Sequence, residues 1–240
     1  MTQIIYESYN ELSVKTAEQI AAIILEKPDA LLCFPAGETS VGTFNELIKL
    51  NKAGKVSFKH CKIVGLDEWT HLGKMKTQNC FSFLKKHLFD QIDYCIDNLC
   101  FFDGESADLE LECVKTDNFI KEYGSIDMML LGIGMNGHLG LNEPGTSFDL
   151  YSNLVNLSEV TKNVGQKYFS GEVKLTSGIT VGMRHITETR TVILQLNGVK
   201  KAKIARHLID CEISPSFPAS IAKSHTNAFF LLDKEAAQNL

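Results

Sequence analysis

Short apolar runs alternate with longer segments of mixed character along most of the chain. The runs are ALLCF (30–34), CKIVGL (61–66), IDMMLL (126–131), TVILQL (191–196) and NAFFLL (227–232). Continuous apolar runs of this length are typical of parallel strands that are buried on both faces of a sheet. We therefore predict a sheet that contains at least these strands.

The segments between the runs predict the helices that cover this sheet. Apolar residues recur at helical spacing in residues 11–27, 40–51, 78–89, 107–122 and 199–209, and Pro28 closes the first of these segments. Strands that alternate with helices predict an open three-layer α/β/α sandwich with a mostly parallel sheet. No repeat or linker divides the chain, so we expect a single domain over residues 1–240.

Residues 146–175 depart from this pattern, because the segment is polar and only weakly periodic. Two interpretations stay open at this point. The segment is either an irregular excursion on the surface or a lid over a ligand site.

Composition and charge restrict the environment and the partners. The chain has a net charge of -5, only three arginines, and no basic stretch beyond KKAK at 200–203. We therefore expect no nucleic-acid partner. The odd number of cysteines, seven, without CxxC spacing is typical of reduced thiols. With no signal-peptide pattern and no apolar segment near the ~18 residues of a membrane span, we expect a cytoplasmic protein without a membrane partner.

Candidate chemistry lies in three loops that come after predicted strands, where open α/β sheets bind their ligands. The first loop is FPAGETSVGTF (34–44). It leads into a helix whose N-cap we predict at Thr39 or Ser40, and the free N–H groups of a helix N-terminus suit an anion such as a sugar phosphate. Glu38 is an unfavourable neighbour for such an anion unless its side chain points away. A tight turn with a helix cap is the alternative interpretation.

The second loop, GLDEWTHLG (65–73), places Asp67 and Glu68 directly after a strand and before the single tryptophan, Trp69. Adjacent residues of an extended chain point in opposite directions, so at most one of the two carboxylates faces a given pocket. A carboxylate beside an apolar ring is expected to have a raised pKa that suits proton transfer. The alternative is a solvated acidic turn.

The third loop, GIGMNGHLGLNEPG (132–145), matches GxGxxG, but Pro144 would break the helix that a dinucleotide site requires. We therefore exclude a dinucleotide site. His138 and Glu143 remain, and a carboxylate that holds a histidine fixes its tautomer and raises its pKa. A purely structural histidine is the alternative. The other histidines show neither HxH nor HxxxH spacing, so we predict no metal site.

Motifs in a fixed order along nearly the whole chain resemble a known enzyme family. They are GLDEW (65–69), GIGMNGHLGLNEPG (132–145), TSGITVGM (176–183), NGVKKA (197–202) and FPAS (217–220). Together they resemble the glucosamine-6-phosphate deaminases, also called glucosamine-6-phosphate isomerases, and their details are especially similar to the galactosamine-6-phosphate isomerase/deaminase branch. The resemblance implies a ribose-5-phosphate-isomerase-like, modified Rossmann fold. It also implies conversion of an amino-sugar 6-phosphate and water to a ketose 6-phosphate and ammonia, without a cofactor.

The same resemblance implies roles for individual residues. Asp67 looks like the base that moves a proton between C2 and C1, and His138 looks like the residue that opens the pyranose ring, with Glu143 holding it. Asn136 stands where many members carry an aspartate. An amide can orient the histidine but adds no charge to raise its pKa, so we expect His138 to titrate lower than in those members.

The phosphate site implied by the resemblance is the loop of Ala36, Gly37, Glu38 and Thr39, with Lys201 as the matching lysine. The chain departs from the family here, because it reads PAGET in place of PTGxT. Lys167 aligns with a lid arginine of glucosamine-specific members, and a lysine lacks the bidentate fork of an arginine. The substrate therefore stays open between glucosamine and galactosamine 6-phosphate, which would give fructose or tagatose 6-phosphate.

Two other functions are compatible with the motifs. 6-Phosphogluconolactonases share the fold and a GxGxDGH loop, but NEPG differs from the small and apolar residues expected after their histidine. A non-catalytic sugar-phosphate sensor is the second, although the chain has no room for a helix-turn-helix. The family contains monomers and hexamers, so a homo-oligomer is possible.

Overall fold

The computed structural model describes residues 1–240 apart from the side chain of Met75. The described strands are β1 (Thr2–Tyr6), β2 (Leu31–Phe34), β3 (Lys62–Gly65), β4 (Asp67–Trp69), β5 (Leu99–Cys100), β6 (Met128–Leu131), β7 (Asn153–Asn156), β8 (Ser177–Thr180), β9 (Thr191–Leu196) and β10 (Ala228–Asp233). The α-helices are α1 (Tyr9–Glu26), α2 (Glu38–Lys52), α3 (Cys80–His87), α4 (Leu109–Glu122), α5 (Glu159–Gly165), α6 (Met183–Glu188) and α7 (Ala202–Asp210).

The main sheet has seven parallel strands in the order β1-β10-β9-β6-β2-β3-β5. Its five central strands are the five predicted from the apolar runs, which confirms the open α/β sandwich. The apolar pattern does not predict the two edge strands. In β1 the apolar residues Ile4 and Ile5 stay 36% and 44% exposed, so an edge strand of this kind does not need a continuous apolar run.

Alternating residues of the central strands build a core on each face of the sheet. On one face Leu31, Met129 and Leu194 pack among α4, α6 and α7. On the other face Leu32 and Ile193 pack among α1, α2 and α3. Each strand is therefore apolar at every position because each of its two faces meets a helical layer.

A second, antiparallel sheet of three short strands, in the order β4-β8-β7, lies next to the main sheet. The apolar pattern does not predict this sheet either. Only Leu66 separates β4 from β3, and the N–H of Val181 donates to the carbonyl oxygen of Leu66 at 2.8 Å, which ties the end of β8 to the same point. The GLDEW and TSGIT motifs thus pair with each other as β4 and β8.

The segment 146–175 contains regular structure that its polar sequence does not reveal, namely β7, α5 and a 3-10 turn over Gln166–Tyr168. The predicted cap of α2 is also wrong. Helix α2 begins at Glu38, and its N-cap is Gly37, two residues before Thr39. No side chain caps this helix. No helix of the described residues is both long and apolar enough to cross a membrane.

The substitution Gly182→Ala tests how β8 and the segment before β7 are held together. A methyl group at Gly182 would overlap the carbonyl oxygens of Leu150 and Tyr151, and φ is an ordinary -82° there, so the cost comes from contact alone. We expect a loss of about 2 kcal/mol in the free energy of unfolding, measured by urea denaturation.

The matched control is Gly132→Ala, because a methyl group there meets nothing within 4 Å. We expect this variant to differ from the parent by no more than about 0.5 kcal/mol. Equal stability of the two variants would contradict the proposed clash.

Candidate active site

A cleft opens at the carboxyl ends of the central strands, and it has two connected lobes. The lysine lobe, about 830 Å³ in volume, is lined by Gly37, Glu38, Thr39, Lys167 and Lys201 among others. The apolar lobe, about 330 Å³, is lined among others by Trp69, Cys80, Phe83, Leu141 and Val164. Both lobes share Asp67 and His138 in their lining, so these two residues lie where the lobes meet.

Asp67 is the first residue of β4 and is 7% exposed. Burial raises the pKa of its carboxyl group to about 7, and a hydrogen bond with the thiol of Cys80 opposes this shift. The predicted rise of the pKa is thereby confirmed. A carboxylate that is half ionised near neutral pH can both accept and return a proton.

The neighbouring carboxylate, Glu68, points away from the cleft, as strand alternation predicts. It lines neither lobe and accepts hydrogen bonds from the backbone N–H groups of Trp69, Cys80 and Phe81 at 2.7, 2.9 and 3.0 Å. Burial raises its pKa to about 7 despite these bonds. Glu68 therefore ties the start of α3 to β4 and positions Cys80 beside Asp67.

His138 is held through the side-chain amide of Asn136. The Nδ1 atom of His138 lies 2.7 Å from Oδ1 of Asn136. The amide nitrogen of Asn136 donates to Oε2 of Glu143 at 2.7 Å and to Oγ of Ser158 at 3.1 Å. These two bonds fix which end of the amide faces the histidine. Because Oδ1 can only accept, the proton of the neutral ring resides on Nδ1 and Nε2 is left with a free lone pair.

Glu143 contacts His138 only indirectly, through the side-chain amide of Asn136. Its Oε2 lies 4.0 Å from Nδ1 of His138, beyond direct hydrogen-bond distance, and its Oε1 accepts from the N–H of Ser158 at 3.0 Å. Burial alone would raise the pKa of Glu143, but hydrogen bonds from Thr161, Ser158 and Asn136 lower it below its ordinary value. Glu143 is therefore an ionised anchor for the amide.

The expected net rise in the pKa of His138 is wrong, although the charge of Glu143 does act in that direction. Burial lowers the pKa to about 4; the charge of Glu143 opposes this shift, and the charge of Lys201 adds to it. Burial outweighs the carboxylate because the amide of Asn136 separates the two groups. At neutral pH the ring is uncharged.

The glycines of the loop let the backbone approach two rings. A side chain at Gly134 would overlap the ring of His138, and one at Gly137, where φ is +87°, would overlap the ring of Phe217. The FPAS motif is hydrogen-bonded to this loop, because the N–H of Ala219 donates to the carbonyl oxygen of Gly137 at 2.9 Å. Residues 132–145, all described in the structure, form turns and no helix, in accord with the exclusion of a dinucleotide loop.

The lysine lobe brings together the residues predicted for a phosphate. The free N–H groups at the start of α2 belong to the loop of Gly37–Thr39, and Ala36 lines both lobes. Lys201 donates to the carbonyl oxygen of Ile133, and burial, with the charge of Lys167, lowers its pKa to about 8. Glu38 is turned toward Lys167, with Oε2 2.8 Å from Nζ.

Sequence reasoning missed three residues near the reacting centre, Ser158, Thr161 and Cys80. Ser158 caps α5, and the hydroxyl of Thr161 lies 3.3 Å from Nδ1 of His138. The spacing of Ser158 before Glu159 and Thr161 is a helix-start signal that could have located α5. Among the described residues, no group of three or more His, Cys, Asp or Glu side chains is placed to hold a metal ion.

Comparisons with known proteins identify the family of this chain. The family model described as glucosamine-6-phosphate isomerases/6-phosphogluconolactonase matches residues 6–231. A glucosamine-6-phosphate deaminase from Bacillus pumilus is 40% identical over 237 residues, covering 98% of each chain. One from Clostridium botulinum is 33% identical over 241 residues, covering 100% of this chain and 99% of the other.

Solved structures give the same result for the fold. A monomeric glucosamine-6-phosphate deaminase superposes with a TM-score of 0.95 at 34% identity, with 100% of both chains covered. A 6-phosphogluconolactonase from Trypanosoma brucei superposes with a TM-score of 0.73 at 18% identity, covering 100% of this chain and 98% of the other, which shows the shared fold alone. The chain therefore belongs to the glucosamine-6-phosphate isomerase/6-phosphogluconolactonase family.

Proposed function

We propose that this protein is a glucosamine-6-phosphate deaminase, which converts glucosamine 6-phosphate and water to fructose 6-phosphate and ammonia. The observation that carries the proposal is the junction of the two lobes, where a carboxylate with a pKa near 7 and a neutral histidine line the same cleft. An aldose-to-ketose shift needs these two groups, one at C1 and C2 and the other at the ring oxygen. The names of the relatives support the same activity.

The phosphate of the substrate binds in the lysine lobe. The N-terminus of α2 offers backbone N–H groups and the positive end of a helix dipole, and Lys201 and Lys167 offer charge. Lys167 exchanges its contact with Glu38 for the phosphate. This anchor orients the sugar with C6 in the lysine lobe and with C1 and C2 at Asp67.

His138 opens the ring. The free lone pair on Nε2 takes the proton of the hydroxyl on C1, the C1–O5 bond breaks as the carbonyl forms, and the imidazolium returns the proton to O5. Asn136 and Glu143 hold the ring in the tautomer that this exchange needs. They are positioning residues in this proposal.

Asp67 then performs the isomerisation. Its carboxylate takes the proton from C2, the electron pair forms the C1=C2 bond, and the carbonyl oxygen gains a proton from the substrate's own ammonium group. Asp67 returns its proton to C1, which leaves an iminium ion at C2. Water adds to C2, and the nitrogen leaves as ammonium.

We also propose that residues 146–175 are a lid. Helix α5 and the turn after it place Thr161 and Lys167 on the cleft, so this one segment contacts both the histidine and the lysine lobe. A cytoplasmic location and homo-oligomer formation stay predictions. All seven cysteines are free.

Galactosamine 6-phosphate is the second candidate substrate, because the LDEW and NGHLGLNEPG details resemble that branch. Ammonia release from both amino sugars at matched concentrations, with 6-phosphogluconolactone hydrolysis in parallel, separates these functions. Release from glucosamine 6-phosphate supports the proposal. Lactone hydrolysis alone, or no turnover of any of the three, would overturn it in favour of a lactonase or a sensor.

Asp67→Asn is expected to lower kcat for ammonia release by about 10²–10⁴-fold, because an amide cannot take the proton from C2. KM should change little, since the phosphate anchor is untouched. The matched control is Asp97→Asn, an exposed carboxyl on the turn before β5, which should retain full activity. Near-normal turnover in Asp67→Asn would show that another group is the base.

The pH profile of kcat/KM is expected to be bell-shaped. The value of kcat/KM rises with pH through about 7 as Asp67 ionises. It falls above about 8 because Lys201 loses its charge and then binds the phosphate more weakly. In Lys201→Arg the alkaline limb should move well above pH 8, because the guanidinium stays charged. Lys167→Arg should leave that limb in place, because the pKa of Lys167 is already raised.

Asn136→Ala removes the atom that holds the proton on Nδ1 of His138. We expect kcat to fall by about 10²-fold with KM little changed, because nearly all of the rings then lose the tautomer and the orientation that the proton exchange needs. Nitrogen-15 NMR of the histidine rings reports the tautomer directly. An unchanged Nδ1–H signal for His138 in the variant would contradict this role of Asn136.

A further inference from the structure

The apolar lobe is not accounted for by the proposed reaction. The substrate's phosphate binds in the lysine lobe, and its reacting carbons lie at Asp67, so the apolar lobe lies on the far side of those carbons. Its walls include the rings of Trp69, Phe83 and Tyr168. Polar side chains, among them Asn79, Ser82 and His87, also line the lobe, so it offers apolar contact together with hydrogen-bond partners for an amide group.

Small residues keep the lobe open next to Asp67. Ala36 and Cys80 line it where longer side chains would project into it, and Gly165 lets α5 lie against Trp69. A methyl group at Gly165 would come within 2.7 Å of Leu175 and 3.3 Å of the Trp69 ring. The space is therefore bounded by a packed cluster of apolar side chains that includes Trp69, Leu141 and Leu175.

We propose that the apolar lobe is a subsite for a short acyl group on the C2 nitrogen of a hexosamine 6-phosphate. This inference rests on the proposed function, because that function places C2 at Asp67. The C2 nitrogen is attached to the carbon whose proton Asp67 removes, so a substituent on this nitrogen is directed to the space beside that carboxylate. A volume of about 330 Å³ accommodates a short acyl chain.

An N-acylated hexosamine 6-phosphate is a competitive ligand of this site and not a source of ammonia. Its nitrogen is an amide with a delocalised lone pair, so it carries no ammonium proton to pass to the carbonyl oxygen. The phosphate and ring hydroxyls occupy the same positions as in the substrate. The acyl chain adds contact with the apolar walls.

The experiment measures the inhibition constant of a homologous series against ammonia release from glucosamine 6-phosphate. The series is the N-formyl, N-acetyl, N-propanoyl and N-butanoyl derivatives of glucosamine 6-phosphate. We expect competitive inhibition that tightens by about fourfold for each added methylene that the lobe buries. Inhibition that is flat or weakens along the series would overturn the proposal.

The variant Ser82→Phe tests whether the gain in inhibition along the series arises in the apolar lobe. Ser82 lies on α3 and lines only the apolar lobe, so a ring at this position occupies space in that lobe and leaves the lysine lobe open. We expect the gain along the series to vanish in Ser82→Phe, to shrink in the smaller variant Ser82→Leu, and to persist in the control Ser82→Ala. Thermal unfolding verifies that each variant is folded, and KM for glucosamine 6-phosphate should stay unchanged.

Direct calorimetric titration of the same series separates this proposal from the proposed function. If glucosamine 6-phosphate releases no ammonia, the deaminase assignment fails, and the titration still reports whether affinity rises with chain length. Rising affinity in the parent that is lost in Ser82→Phe supports the subsite. A gain that survives in Ser82→Phe would overturn it.

Discussion

The side-chain amide of Asn136 is the contact on which the arrangement of the cleft depends. Its oxygen accepts a hydrogen bond from the Nδ1–H group of His138, and its nitrogen donates to Glu143 and Ser158. The glycine-rich loop after β6 and the first turn of α5 thereby meet at one group. An amide suits this junction because it has both donors and an acceptor, whereas an ionised carboxylate only accepts.

Burial sets the protonation of the cleft more than pairing between charges does. It raises the pKa of Asp67 to about 7, lowers that of His138 to about 4, and lowers that of Lys201 to about 8. In each case the charged form loses solvation that its neighbours do not fully replace. The result is a carboxyl group that titrates near neutral pH in the same cleft as a histidine that is uncharged there, which suits the proton exchange proposed at two different sugar atoms.

The second sheet explains how residues far apart in sequence act at one place. Strand β4 holds Asp67 and pairs with β8, and β8 pairs with β7, which precedes α5. The order of these strands connects the loop after β3 to the segment that contains Thr161 and Lys167. The proposed lid therefore begins from a fixed edge and not from a free loop.

The sequence by itself determined the central strands and most helices, and it pointed to Asp67, His138 and Glu143 as candidate site residues. Periodicity and residue type are local properties, and a strand buried on both faces has to be apolar throughout. The sequence did not reveal the edge strand β1 or the second sheet, because half-exposed strands and strands of three or four residues leave no distinctive apolar run. It did not reveal α5 either, because seven residues are too few to show a helical period. Only the tertiary structure decided that the pKa of His138 is lowered and that Glu38 pairs with Lys167. Solvent exclusion and contacts between residues more than a hundred positions apart arise when the chain is packed, and no local pattern encodes them.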